Sequence, residues 1–263
     1  MEAFAPGSVT ALFAPTESEG KSLGVSMAIA DGVVADVAPA SGTRVAVDGA
    51  PTDFEPVELV LADLGVSAAV DLTTDVPLGC GFGASGAATL ATALAADETF
   101  DLEHTREELL YAAHEAEVTA GTGLGDVFIQ ETGGLVMDDG TGIERFEPAT
   151  TIGYESYGGI DTAEALGDEA LMSRVETVGT ELVRDLAAAH PSEPSLEAVL
   201  DRGWEFARAV DLPTDEVAAT VAAVEDAGGT ASMAMVGQTV FGVGAEDVLD
   251  QRTSISLEGA HLL

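Results

Sequence analysis

The chain has 263 residues, with 47 Asp and Glu against nine Lys and Arg, a net charge of −38 and an isoelectric point near 4.1. So few cations cannot assemble a basic patch, which excludes nucleic acid and anionic membranes as partners. The residues are 46% hydrophobic and the acids are spread along the whole length, so the sequence reads as folded, with room for one large domain or two modest ones.

Lys21 is the only lysine. A diffuse acidic surface nearly stripped of lysine is expected of a halophilic protein in a cytosol of molar salt. There the Debye length falls to about 3 Å and self-repulsion is screened. The single cysteine, Cys80, rules out an intramolecular disulfide and is compatible with a reducing compartment. Met1 to Pro6 carry neither a basic region nor an apolar run, and no segment approaches membrane-spanning length, so a cytoplasmic location is expected.

In chain order, 25–30 and 33–37 are strand-like and flank Asp31-Gly32, a hairpin signal; 43–47 runs into a second turn at Asp48-Gly49. Helical spacing follows at 55–65, a strand at 68–72, a glycine-rich stretch at 79–86 and a helix from Ala87 to Ala96. A second helix covers 105–118, opened by a capping box from Thr105 to Glu108. Gly121 to Gly125 break it, and Gly133-Gly134 opens a strand that ends near Asp138. Beyond Pro148 the pattern gives a strand at 151–157 and helices at 168–189, 195–210 and 214–227. Strands at 230–236 and 239–243 come next, then a short helix near 245–251. Strands, then helices, then strands again indicate a second α+β unit, with the boundary near 149.

Residues 77–87 read Pro-Leu-Gly-Cys-Gly-Phe-Gly-Ala-Ser-Gly-Ala. Glycines opening a helix let backbone N–H groups approach an anion, and the helix dipole adds to the attraction. A Walker A loop is excluded because no Gly-Lys-Ser/Thr follows. Gly81, Gly83 and Gly86 fit G-x-G-x-x-G, but the acids about 20 residues on, Glu107 and Glu108, fall in a helix and not at a strand end. The later motifs of a protein kinase are missing.

Pro77 through Ala87 resembles the phosphate loop of the GHMP kinase superfamily, Pro-x-x-x-Gly-Leu-Gly-Ser-Ser-Ala, with Phe82 in place of Leu and Ala84 in place of the first Ser. Ala5-Pro6-Gly7-Ser8 resembles the superfamily's first motif, except that Ser8 stands where Lys is usual; Thr10 and Phe13 match the version found in the archaeal pantoate kinase family. The spacing from Asp126 to Gly133-Gly134 equals that between the superfamily's catalytic aspartate and its glycine pair. The run Ser232-Met233-Ala234-Met235, then Gly237 and Thr239 to Phe241, resembles the pantoate kinase form of the third motif.

The resemblance implies an α+β, two-domain GHMP kinase fold. An N-terminal, ATP-binding domain (1–149) would contain a left-handed βαβ unit, and a ferredoxin-like domain would follow (150–263). It implies ATP and Mg²⁺ as cofactors and pantoate as the small-molecule substrate, phosphorylated on its primary hydroxyl to 4-phosphopantoate for coenzyme A synthesis; a homodimer is left open. Pro77, Gly79, Gly81, Gly83, Ser85 and Gly86 would wrap the triphosphate. Ser85 and Glu117 would hold the metal, with Glu115 the alternative to Glu117. Asp126 would orient or deprotonate the acceptor hydroxyl, and Ser8, Thr10, Lys21, Ser232 and Gly237 would serve the substrates. Lys21 is either a contact for an anionic group or an exposed loop lysine. Another GHMP kinase, acting on mevalonate, homoserine or shikimate, and a non-catalytic metabolite-binding regulator are the alternatives. His114 reads as a packed or surface histidine, Cys80 as filler within the loop, and Met233 and Met235 as core.

Overall fold

Two long antiparallel strands, β1 (Glu2–Pro15) and β2 (Ser22–Pro39), form the spine of the first sheet in the computed structural model, which describes residues 1–16, 22–160, 167–190 and 192–263. β1 is buried almost throughout, so its sequence is a near-continuous small and apolar run without alternation. The hairpin expected at Asp31-Gly32 does not form: β2 passes straight through it. Pro6 pairs with Gly32 and Gly7 with Ile29, leaving Ala30 and Asp31 as a bulge. A Cβ on Gly32 would lie 2.2 Å from the Ala5 carbonyl oxygen, so the glycine serves a close approach and makes no turn. Pairing with β1 along the whole strand overrides the local turn signal.

The second signal does make a turn. Asp48 and Gly49 both have positive φ and join β3 (Arg44–Val47) to β4 (Ala50–Pro51). Helix α1 (Glu55–Asp63) then leads into β5 (Ala68–Thr74), which is parallel to β3 and antiparallel to the second half of β2. Helix α2 (Ala84–Phe100) packs on β1 and β2, and α3 (Arg106–Ala120) packs on α1 and α2. The Thr105–Glu108 capping box is present. A short helix not expected from the sequence, α4 (Asp126–Thr132), precedes β6 (Leu135–Asp138) and β7 (Ile143–Phe146), with β6 pairing the first half of β2.

The second sheet takes β8 (Thr151–Gly159), β9 (Thr230–Met233), β10 (Gly237–Val243) and β11 (Gln251–Ser254) in the order β11-β8-β10-β9, with every neighbouring pair antiparallel. Counted within this unit the order is 4-1-3-2, the arrangement expected of a ferredoxin-like sheet. The β8-to-β9 connection carries α5 (Glu169–Ala189), α6 (Leu196–Ala209) and α7 (Asp215–Asp226), each capped at its N-terminus by the preceding Asp168, Ser195 or Thr214. The short helix expected near 245–251 is a single 3₁₀ turn at Glu246–Val248, because β11 begins at once. Ala234 to Val236 form a turn, not the end of a strand.

The two sheets share one apolar core, since α5 and α6 pack on β1. The last strand, β12 (His261–Leu262), returns to pair with β1 at the edge of the first sheet. Among the described residues no helix is long and apolar enough to cross a membrane. Contact between α5 and β1 is close enough that a Cβ on Gly179 would lie 2.1 Å from the Phe13 carbonyl oxygen. Gly179→Ala is therefore expected to destabilise the fold by about 1–3 kcal/mol in denaturant unfolding, although alanine gains ~1 kcal/mol in helix propensity. Gly42→Ala, with nothing near its added methyl, should stay within about 0.5 kcal/mol of the parent chain.

Candidate active site

The glycine-rich stretch crosses from β5 to α2 with Gly79, Gly81 and Gly83 all at positive φ. Gly83 is the N-cap of α2 in the left-handed region, and no side chain caps the helix. The first helical bond runs from Ala87 N to Gly83 O, so the amides of residues 84–86 have no partner within the helix, the condition under which a helix start receives an anion. The second sheet holds the loop from behind. Thr239 Oγ1 donates to Cys80 O at 2.7 Å, the Phe82 ring meets Tyr154 edge-on at 5.0 Å, and a Cβ on Gly237 would lie 2.0 Å from Cys80 O.

Two carboxylates converge beside this helix start. Glu117 of α3 is 3% exposed and faces α2. Its Oε1 accepts from Ser85 Oγ (2.8 Å) and Thr89 Oγ1 (2.7 Å), and its Oε2 from Thr122 Oγ1 (2.9 Å). Desolvation raises its pKa; the three hydroxyls oppose this, and Asp126 adds to it. Asp126, at the start of α4, accepts from Ser8 Oγ at 3.0 Å. Its pKa is raised too, by desolvation against the pull of Ser8. Glycines let these parts meet: a Cβ on Gly83 would lie 2.1 Å from Ser8 Oγ and 3.3 Å from Asp126 Cγ, and one on Gly123 would lie 3.2 Å from Glu117 Oε2 and 3.8 Å from Asp126 Oδ2.

A cavity of about 740 Å³ opens over the helix start. The loop (Gly79, Gly81 to Ser85), Asp126, and Thr122 to Gly125 form one part of its wall; Thr10, Phe13, Ser26, Val136, Asp138 and Ile143 form another. Thr10 and Ser26 share a hydrogen bond of 2.8 Å. Among the described residues no lysine or arginine lines it, and none of their clusters has three or more His, Cys, Asp or Glu placed to hold a metal. The Ser85–Glu117 pair does offer two adjacent hard oxygens of the kind Mg²⁺ takes when phosphates complete its shell.

Most of the expected site residues come together, but not all. Thr10 lines the cavity, whereas Ser8 is 1% exposed beneath Asp126 and not on the wall. Ser232 does not reach the cavity wall: it sits fully buried on β9, its Oγ against the site of a Gly203 Cβ and without a hydrogen-bond partner. Gly237 supports the loop from outside the cavity, Gly86 packs on Gln130, and Pro77 is exposed just before the loop. Of the two glutamates, Glu117 meets Ser85 while Glu115 is exposed at the rim. Lys21 lies outside the described residues. His114 is buried, its ring tilted against Phe128 with centroids 4.9 Å apart, and its pKa is lowered by desolvation.

Sequence reasoning missed Thr89, Thr122, Ser26 and Gln130. One signal for two of them was available: Thr89 follows Ser85, and Gln130 follows Asp126, by four residues, which places each pair on one helix face.

Comparison with known proteins agrees with this geometry. Residues 55–134 match the family described as GHMP kinases N terminal domain. The chain is 27% identical to the pantoate kinase of Methanocaldococcus jannaschii, covering 96% of each, and 29% identical to that of Thermococcus kodakarensis, covering 92% of this chain and 86% of that one. A solved structure titled as a phosphotransferase related to the CoA biosynthesis pathway superposes with a TM-score of 0.84 at 25% identity, covering 100% of this chain and 98% of its own.

Burying Glu117 without a cation has a consequence for stability. With its pKa raised, the folded state binds a proton more readily than the unfolded chain, so stability falls as pH rises from the unfolded carboxylate range through the folded value. Glu117→Gln removes that cost and keeps an acceptor for the hydroxyls. It is expected to raise the melting temperature of the ligand-free protein at neutral pH, with the gain shrinking as pH falls toward the ordinary glutamate range. A variant less stable than the parent chain at pH 7 would show that the hydroxyls outweigh desolvation.

Proposed function

We propose that the chain is a GHMP kinase and, within that superfamily, a pantoate kinase, moving the γ-phosphoryl group of ATP onto the primary hydroxyl of pantoate. One observation carries the proposal: the Asp126 carboxylate stands beside the N-cap of α2 with only a glycine between, so that a Cβ at position 83 would come within 3.3 Å of Asp126 Cγ. A helix start that takes phosphates and a carboxylate that takes a hydroxyl proton are thereby adjacent. The similarity to pantoate kinases over nearly the whole chain supports the choice of acceptor.

The roles follow from the chemistry. Phosphoryl transfer needs alignment and charge stabilisation more than covalent participation. The unpartnered amides at 84–86 receive phosphate oxygens, and the open Gly79 gives them room. Asp126, its Oδ1 held by Ser8, uses its remaining oxygen to orient the acceptor hydroxyl and take its proton; burial raises its basicity toward what a base at neutral pH requires. Ser85 and Glu117 are the residues that would hold Mg²⁺, which when bound neutralises phosphate charge. Thr10 and Ser26 offer hydroxyls to the acceptor, and Phe13, Val136 and Ile143 offer apolar surface to its methyl groups. Lys21 directly precedes the wall residues Ser22 and Leu23, and we assign it to the acceptor's carboxylate. We assign the nucleotide-binding part to 1–149 and its partner domain to 150–263, although β12 returns to the first sheet.

Two anionic substrates meet a wall without arginine or described lysine in a protein of charge −38. We therefore place the enzyme in a salt-rich cytoplasm, where monovalent cations screen the approach. In a coupled ADP-release assay with Mg²⁺ and molar KCl, pantoate is expected to be turned over in preference to mevalonate, homoserine and shikimate, with activity falling as KCl is withdrawn. Asp126→Asn should lower kcat about 10²- to 10⁴-fold. Preferred turnover of another acceptor would overturn the assignment to pantoate, and an unchanged kcat in the variant would overturn the role of Asp126.

A further inference from the structure

Gln130 is fully buried on α4, one turn after Asp126, in a place where core packing alone would favour an apolar side chain. Its Nε2 donates to Gly83 O at 2.7 Å and lies 3.3 Å from Ser8 Oγ. The amide can be oriented in only one way. Gly83 O has no hydrogen to give, so the NH₂ group must face it and Oε1 must point toward Gly86, where it finds no partner. An orphaned buried acceptor keeps the full cost of its desolvation. That cost is sustained at a residue touching both the N-cap of the phosphate loop and the serine beneath the carboxylate.

The bonds form a directed chain. Gln130 Nε2 occupies a lone pair of Ser8 Oγ, which leaves the serine hydroxyl proton to point at Asp126 Oδ1, 3.0 Å away. The donor itself is anchored: the main-chain carbonyl of Gln130 accepts from Ala260 N at 2.9 Å, and the neighbouring Glu131 is paired with Arg106 at 2.6 Å. We propose that Gln130 is a positioning residue for phosphoryl transfer, acting through Ser8 to fix the rotamer of Asp126 against the phosphate loop. The proposal rests on the kinase assignment for its kinetic readout, but its structural half can be tested without it.

The test is a double-mutant cycle in the ADP-release assay with Ser8→Ala, Gln130→Met and the double variant. Each single variant is expected to lose kcat on the order of 10- to 100-fold through misplacement of the base, with KM for ATP held within about threefold. The double variant should be no slower than Ser8→Ala. Additive losses, or a Gln130→Met change confined to KM for ATP, would overturn the relay. Should Gln130→Met fail to fold, ¹⁵N NMR of the parent chain and Ser8→Ala decides. The Gln130 side-chain amide resonances are expected to move when the serine hydroxyl is removed; unmoved resonances would sink the proposal. That arm needs no turnover, so failure of the kinase assignment remains separable from failure of the relay.

Discussion

Two carboxylates beside an uncapped helix start, Glu117 buried and Asp126 half-buried, with no cation within the described wall, are the constraint around which the rest of the molecule is arranged. Glu117 and Asp126 are both destabilised as ions by desolvation, and the nearby Asp126 adds to the difficulty at Glu117. Hydroxyls substitute for missing positive charge: Ser85, Thr89 and Thr122 at the glutamate, Ser8 at the aspartate. Neutral donors stabilise an anion less than an ion pair would. The site therefore stays short of positive charge until its ligands, with their counterions, supply it.

Holding such a site together requires close backbone approach, and the glycines provide it where it matters. At Gly83 a side chain would collide with Ser8, and at Gly237 with the Cys80 carbonyl. The loop is thereby pinned between β1 on one side and β10 on the other. Its geometry depends on both sheets and on α4, elements far apart in sequence.

Two of the chain's eight arginines are deployed in the same region. Arg106 reaches Glu131 and the Ala260 carbonyl, and Arg145 reaches the carbonyls of Thr132, Gly133 and Leu257. Both tie the C-terminal segment to the end of α4, the helix that carries Asp126 and Gln130. In a protein with nine cations and 47 acids, two arginines at one helix end make that end among the best-anchored parts of the first sheet's surroundings.

Local chemistry determined a good deal of this without any coordinates. The capped helices α5, α6 and α7 lie within two residues of their expected bounds because cap residues and apolar spacing are local signals. The loop and the Asp126-to-Gly134 spacing were readable because phosphate binding needs glycines in a fixed order. Tertiary structure alone decided the rest. Asp31-Gly32 became a bulge because β1 pairs across it. The seven residues of α4 are too few to show a period, and β7, β11 and β12 exist only because a neighbouring strand accepts their hydrogen bonds. Ser232 was carried to the core against Gly203, and Gln130 to the centre of the site by bonds to residues more than forty positions away in sequence. No local pattern encodes a partner at that distance; only the packing of α4 on α2 and β1 does.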